Sequence, residues 1–270
     1  MNISIFHWRA KETLGNFGDA LTLLYQARMF EGPCLFRTGT VHLVGSVISD
    51  RQIAKTSARG PHEDAGPGRA VFWGCGKRDA KPLPPLAERR AIFLGIRGEH
   101  SRLALDLPRN TPLGDTALLL PKFYTPAVNP ETAGKVLWVP HVHHPKVTVE
   151  TLGTDMDSVI MSPAIPNTVA ACEAFIDAIA SARFVMANAM HAAVVALAYG
   201  VPFAFWSGKY LDVPFKWQDF ASGVGFTLPF APSLAEGMRL FEEVRPDRFM
   251  AEWDPAPLME VAPYRFRATA

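Results

Sequence analysis

Apolar residues in this chain gather in short consecutive runs, and several of the stretches between them repeat at helical spacing. The runs lie at 3–6, 41–44, 70–73, 92–94, 117–120, 136–139, 159–161, 184–186 and 201–205. A strand wetted on one side alternates apolar with polar residues, so unbroken runs of this length predict strands covered on both faces. Leu21, Leu24, Tyr25 and Met29 fall on one helical stripe. Val169, Cys172, Ile176 and Ile179 form another, behind the cap candidate Asn167. A further helix over about 189–199 stops at Gly200-Val201-Pro202, a good C-terminal signal. Strands alternating with helices predict parallel sheets flanked by helices. Pro121, Pro126 and Pro130 disfavour regular structure and mark a connector. They divide the chain into an N-terminal lobe over 1–125 and a C-terminal lobe over 126–270. The polar segment 51–69 reads as a loop, and the weakly patterned tail from Pro255 as a strap that packs back across the lobes.

Composition narrows the class. With 49% of 270 residues hydrophobic and 20% charged, there is ample material for two cores of that size. A net charge of +1 exerts no global pull on nucleic acid, so any attraction for anions must be local. Cys34, Cys75 and Cys172 are far apart, odd in number and in no metal-like spacing, which argues for a reducing compartment over a disulfide framework. Residues 1–10 lack the basic start and apolar run of a signal peptide, and no stretch approaches the ~18 apolar residues of a membrane span. The expectation is a cytoplasmic protein with at most peripheral membrane association.

In open parallel sheets, ligands bind beyond the carboxyl ends of the strands, so polar residues at those turns carry extra weight. The first such turn is Ala187-Asn188-Ala189-Met190-His191-Ala192, where a buried strand runs into a small-residue helix. Asn188 is the cap candidate, and His191 would stand in the first helical turn, beside free N–H groups suited to an anion. It is then either a buried histidine satisfied by a carbonyl or a group that gives and takes a proton. The second turn, Gly74-Cys75-Gly76-Lys77-Arg78, lets backbone approach a ligand and adds two cations, though a tight turn with solvated charges has the same pattern. The third, Arg97-Gly98-Glu99-His100-Ser101, offers a guanidinium suited to phosphate or carboxylate, unless Glu99 simply pairs with it. His141, His143 and His144 raise zinc as a question, but no cysteine and no glutamate-bearing helix signature accompanies them. A strand-end histidine touching substrate is the preferred reading, with no metal.

Taken in order, these turns resemble the polysaccharide pyruvyl transferase family, in its bacterial exopolysaccharide branch. The resemblance runs through Asn16-Phe17-Gly18-Asp19, Gly45-Ser46-Val47-Ile48, Gly74-Cys75-Gly76 and Arg97-Gly98-Glu99-His100-Ser101. It continues through the Leu113-Gly114-Asp115-Thr116 turn with its apolar tail, Val139-Pro140-His141, Asn188-Ala189-Met190-His191, Gly200-Val201-Pro202 and Lys216-Trp217-Gln218-Asp219. It implies two Rossmann-like lobes with parallel sheets facing across a cleft, a GT-B-like arrangement. It also implies transfer of pyruvate from phosphoenolpyruvate, without a further cofactor, to two hydroxyls of a saccharide acceptor, free or lipid-linked, at the inner face of the cell membrane. Under this resemblance His191 is catalytic, and Arg97, Gly74, Gly76, Asn188, Lys77, Ser101 and Lys216 surround the donor. Asn16, Gly18, Asp19 and His141 line the acceptor side or the cleft. The sequence departs from the family's usual Arg-Leu-His-Gly, reading Ala189-Met190-His191-Ala192, so another cation among Arg97, Lys77, Arg78, Lys209 and Lys216 must replace the motif arginine. Two other readings stay open: a GT-B-type glycosyltransferase using a nucleotide-sugar, and a non-catalytic sugar-binding relative.

Overall fold

The computed structural model describes residues 4–7, 13–36, 39–57, 68–152 and 157–268. In chain order, the first half holds β1 (Ser4–Ile5), β2 (Leu14–Asn16), α1 (Phe17–Leu24), β3 (Phe30–Glu31), β4 (Gly39–His42) and α2 (Asp50–Ser57). It goes on through β5 (Arg69–Cys75), α3 (Pro85–Arg89), β6 (Ala91–Ile96), α4 (Glu99–Ala104) and a 3₁₀ helix, Thr116–Lys122. The second half holds β7 (Val136–Val139), α5 (Val149–Leu152), β8 (Ser158–Ile160), β9 (Ala164–Pro166), α6 (Val169–Ser181), β10 (Phe184–Ala187) and α7 (Met190–Ala198). β11 (Phe203–Trp206), α8 (Pro214–Val224), β12 (Phe230–Ala231), α9 (Leu234–Val244), α10 (Pro246–Glu252), α11 (Ala256–Glu260) and β13 (Arg265–Phe266) complete it.

Two separate parallel sheets result, ordered β1-β4-β5-β6 and β12-β11-β10-β7-β8. This is the α/β architecture with parallel sheets expected of the alternating pattern, in the two-lobed, GT-B-like form that the resemblance implies. Every residue of β7, β10 and β11 is buried, as unbroken apolar runs require. In β5 the alternation is between two cores. Val71 and Trp73 face the large core shared with the second sheet, whereas Ala70 and Phe72 face a smaller one under α2 and α3. α7 is buried from Ala192 to Leu197 and is shared property of both lobes, packing on α6, β10, β11, α1 and the 3₁₀ helix. At about 1.5–3 kcal/mol for each buried aliphatic or aromatic side chain, this common core locks the lobes together.

Several expectations need correction. The run 117–120 is 3₁₀ helix, not strand: the Asp115 side chain accepts from the Ala117 N–H at its start, and Pro121 lies inside its end. Within 51–69 the structure has a helix, α2, that buries Gln52, Ile53, Thr56 and Ser57; residues 58–67, like residue 3 of the first run, lie outside the described residues. The cap of α6 is Thr168, which accepts from the Ala171 N–H, and not Asn167. The tail does pack back, with β13 antiparallel to β3 and the Trp73 indole donating to the Leu258 carbonyl at 2.8 Å. Among the described residues no helix is long and apolar enough to cross a membrane.

Candidate active site

The turns after β5 and β6 in one lobe meet those after β7, β10 and β11 in the other, through Arg97 on Asp219, Arg78 on Asp212 and Asn188 on His141. His191 is the second residue of α7, in its first turn as expected, and the helix is capped by Ala189 without a side-chain bond. Asn188 does a different job from the capping assigned to it. Its amide oxygen accepts from the His141 N–H at 3.1 Å, and its nitrogen donates to the Trp206 carbonyl at 2.8 Å. A buried amide can satisfy both functions this way, and here it fastens together the ends of three neighbouring strands.

The His191 ring looks at Asp115 across 3.7 Å, from its Nε2 to Oδ2. That is beyond a hydrogen bond, and both atoms are buried without a hydrogen-bond partner. Two such orphans facing each other are costly to keep in a core, which is the usual mark of a site built for something else. The ring nevertheless keeps 11% of its side-chain surface exposed, none of it at Nε2. Against the other ring nitrogen lies Gly18, where a Cβ would stand 2.1 Å from Nδ1. Only glycine lets the first turn of α1 come so close. Neither α1 nor α7 has a side-chain cap, so two helix starts meet at this ring, with the Phe17 N–H donating to the Pro163 carbonyl and the Ala192 N–H to the Ala189 carbonyl.

The expected cation Arg97 is placed differently from a ligand contact. Its guanidinium is fully buried; Nε and Nη2 pair with Asp219 Oδ2 at 3.0 and 2.8 Å, Nη1 donates to Ser46 Oγ and Nη2 to the Lys77 carbonyl. Ser101 completes the knot by donating its N–H and its hydroxyl to the two oxygens of Asp219 at 2.6 and 2.7 Å. Gly76 lies flat on this pair, since a Cβ there would be 2.3 Å from Arg97 Nη2. Arg97, Gly76 and Ser101 therefore tie the first lobe to α8 of the second. Gly74, at φ +66°, packs on Thr116, below the crevice.

Lys77 and Lys216 are both largely buried. Burial pushes each ammonium below its ordinary value, with Asp79 opposing the shift for Lys77 and Asp212 opposing it for Lys216. Asn16 donates to Asp19 at 3.3 Å, but both sit on a segment that docks on the C-terminal half, through β2 on β9 and α1 on α6. They share the His191 side of the molecule instead of an opposing wall. His141 and His143 lie beyond the end of β7, the first tilted against Tyr210 and the second edge-on to it, and among the described residues no cluster suited to a metal is present. Sequence reasoning missed Asp115, Asp219 and Asp212 as site residues; the first two had appeared only as part of a turn or of a motif, and Asp212 not at all.

Burial holds His191 at about 3, His141 at about 4 and the core residue His42, stacked on Phe72, at about 3. Between those values and about 6.5 the unfolded chain binds protons that the fold refuses, so stability falls as pH drops through that window. Asp115 works the other way. Burial raises it to about 6, so between about 6 and 4 the fold keeps a proton that the unfolded chain releases, offsetting one ring. The expected outcome is a thermal midpoint declining below about pH 6.5, with His42→Phe removing about 1.4 kcal/mol per pH unit from the slope. An unchanged slope in that variant would mean the His42 ring is charged in the fold.

No protein family, curated protein or solved structure matches this chain. The family resemblance thus rests on the order of the motifs.

Proposed function

We propose that this crevice transfers the pyruvyl carbons of phosphoenolpyruvate to two hydroxyls of a sugar, forming a pyruvate ketal and releasing phosphate. The observation that supports it is the pair of facing, unpartnered groups His191 and Asp115 at the junction of two uncapped helix starts. An oxyanion accepts N–H groups there, and its negative charge raises the proton affinity of an imidazole that burial otherwise keeps neutral. The ring then protonates the methylene carbon, which becomes a methyl group. A sugar hydroxyl adds to the cationic carbon that remains and loses its proton. The second hydroxyl displaces phosphate in the same way, so two hydroxyl protons end on the methyl group and the leaving phosphate. Donors already in place at the phosphate stabilise its departure.

The test is thermal unfolding with phosphoenolpyruvate and, separately, with a panel of nucleotide-sugars. Phosphoenolpyruvate at about a hundred times its Kd should add about 2.7 kcal/mol of stability, and nucleotide-sugars none. The reverse pattern would replace this reading with nucleotide-sugar glycosyl transfer.

A further inference from the structure

A second polar cluster adjoins Asn188 through the His141 N–H, and it has an unusual charge arrangement. Two cations and an imidazole from three parts of the chain converge on one carboxylate, that of Asp212. Arg78, beyond β5 in the first lobe, donates from Nη2 to Oδ1 at 3.0 Å. Lys216, in the first turn of α8, donates from Nζ to Oδ2 at 2.6 Å. His141, beyond β7, brings Nε2 to 3.8 Å from Oδ2. Both oxygens are thus engaged by groups that converge from different elements, as they would on a ligand oxyanion. The Lys216 side chain is only 11% exposed, and an ammonium so placed needs a counter-charge. Burial alone would raise the Asp212 carboxyl; Lys216, with Arg78 and His141, more than reverses that and leaves it lowered.

The carboxylate is carried by irregular chain between β11 and α8. The next residue, Val213, has φ +46° and ψ 84°, a left-handed conformation that a β-branched side chain rarely accepts. Strain of this kind gathers at ligand clamps and switch segments. The start of α8 that follows has no side-chain cap and opens with Pro214. A segment held in an uncomfortable backbone state by charge pairing is released when the pairing is replaced.

We propose that Arg78, Lys216 and His141 form an oxyanion subsite for phosphate or carboxylate, and that Asp212 is its built-in occupant, displaced with segment 207–213 when a ligand anion enters. The inference deepens the proposed donor site and rests on that reading. It also supplies a cation for the arginine missing beside His191: Lys216 reaches the turn before α7 through Asp212 and His141, whose N–H donates to Asn188.

The experiment is calorimetric titration of the full chain with inorganic phosphate and, separately, with phosphoenolpyruvate, in wild type, Asp212→Asn and Asp212→Asn/Lys216→Gln. Removing the competing carboxylate should tighten phosphate binding about tenfold, and the second substitution should cancel the gain. Weaker or unchanged phosphate binding by a folded Asp212→Asn chain overturns the proposal. Hydrogen exchange on wild type serves if that variant does not fold: amides of 207–213 should exchange faster with saturating phosphate, and slower exchange overturns the proposal. If phosphoenolpyruvate binds wild type but neither affinity changes in Asp212→Asn, the displaced carboxylate is refuted and the donor reading stands. If phosphate tightens in the variant while phosphoenolpyruvate binds neither chain, the subsite stands and the donor reading falls.

Discussion

Alanine at His191 should lower acceptor-dependent phosphate release from phosphoenolpyruvate by about 10²–10⁴-fold while moving the thermal midpoint by only a few degrees. The two halves of that result follow from one geometry. The ring makes no hydrogen bond through its buried Nε2, so removing it breaks none. What is lost is the group that stands between Asp115 and Gly18. A histidine serving the core would behave in the opposite way, with its loss leaving a cavity and a large fall in stability. Retained transfer in a strongly destabilised His191→Ala chain would assign the ring to packing.

Arg97→Ala should do the reverse, costing about 3–5 kcal/mol of stability. The side chain is buried with Asp219 in an ion pair of which neither partner is exposed, so truncation leaves the carboxylate in the core with its charge unmatched. Ser101 would still donate twice to Asp219, but Ser46 and the Lys77 carbonyl would lose their donor. For a chain of this size the midpoint should fall by roughly 10 °C. Lysine should not rescue it, because one ammonium cannot reproduce the fork that meets Asp219, Ser46 and Lys77 together. A midpoint that stayed put while phosphoenolpyruvate affinity collapsed would return Arg97 to the direct donor contact that the family resemblance implies.

The contrast between these residues shows what a sequence makes legible. The doubly covered strands β7, β10 and β11 were readable because burial on both faces leaves an unbroken apolar run. The turns carrying His191, Gly76 and Arg97 were readable because strand ends are where parallel sheets open. The run 117–120 misled for a physical reason. Four apolar residues in a row suit a buried strand and a buried 3₁₀ turn equally, and only the Asp115 cap separates the two. The short pairings of β2 with β9 and of β3 with β13 join residues more than a hundred positions apart, with no local pattern to announce them. The three carboxylates stayed hidden for the same reason. Asp219 meets Arg97 across 122 positions and Asp212 meets Arg78 across 134, so their roles exist only once the lobes are together. Arg97 was found but misassigned, because sequence marks a guanidinium at a strand end without saying whether its partner is a ligand or the protein's own acid.

The measurement closest to the central claim is the wild-type arm of the transfer assay. Purified chain, phosphoenolpyruvate and a lipid-linked or soluble oligosaccharide acceptor are combined, and free phosphate is followed together with pyruvate bound to the glycan. The account predicts phosphate released only when acceptor is present, in step with an acid-labile pyruvate ketal on the sugar. Turnover of a nucleotide-sugar by the same chain, with no phosphate released from phosphoenolpyruvate by any acceptor, would contradict it.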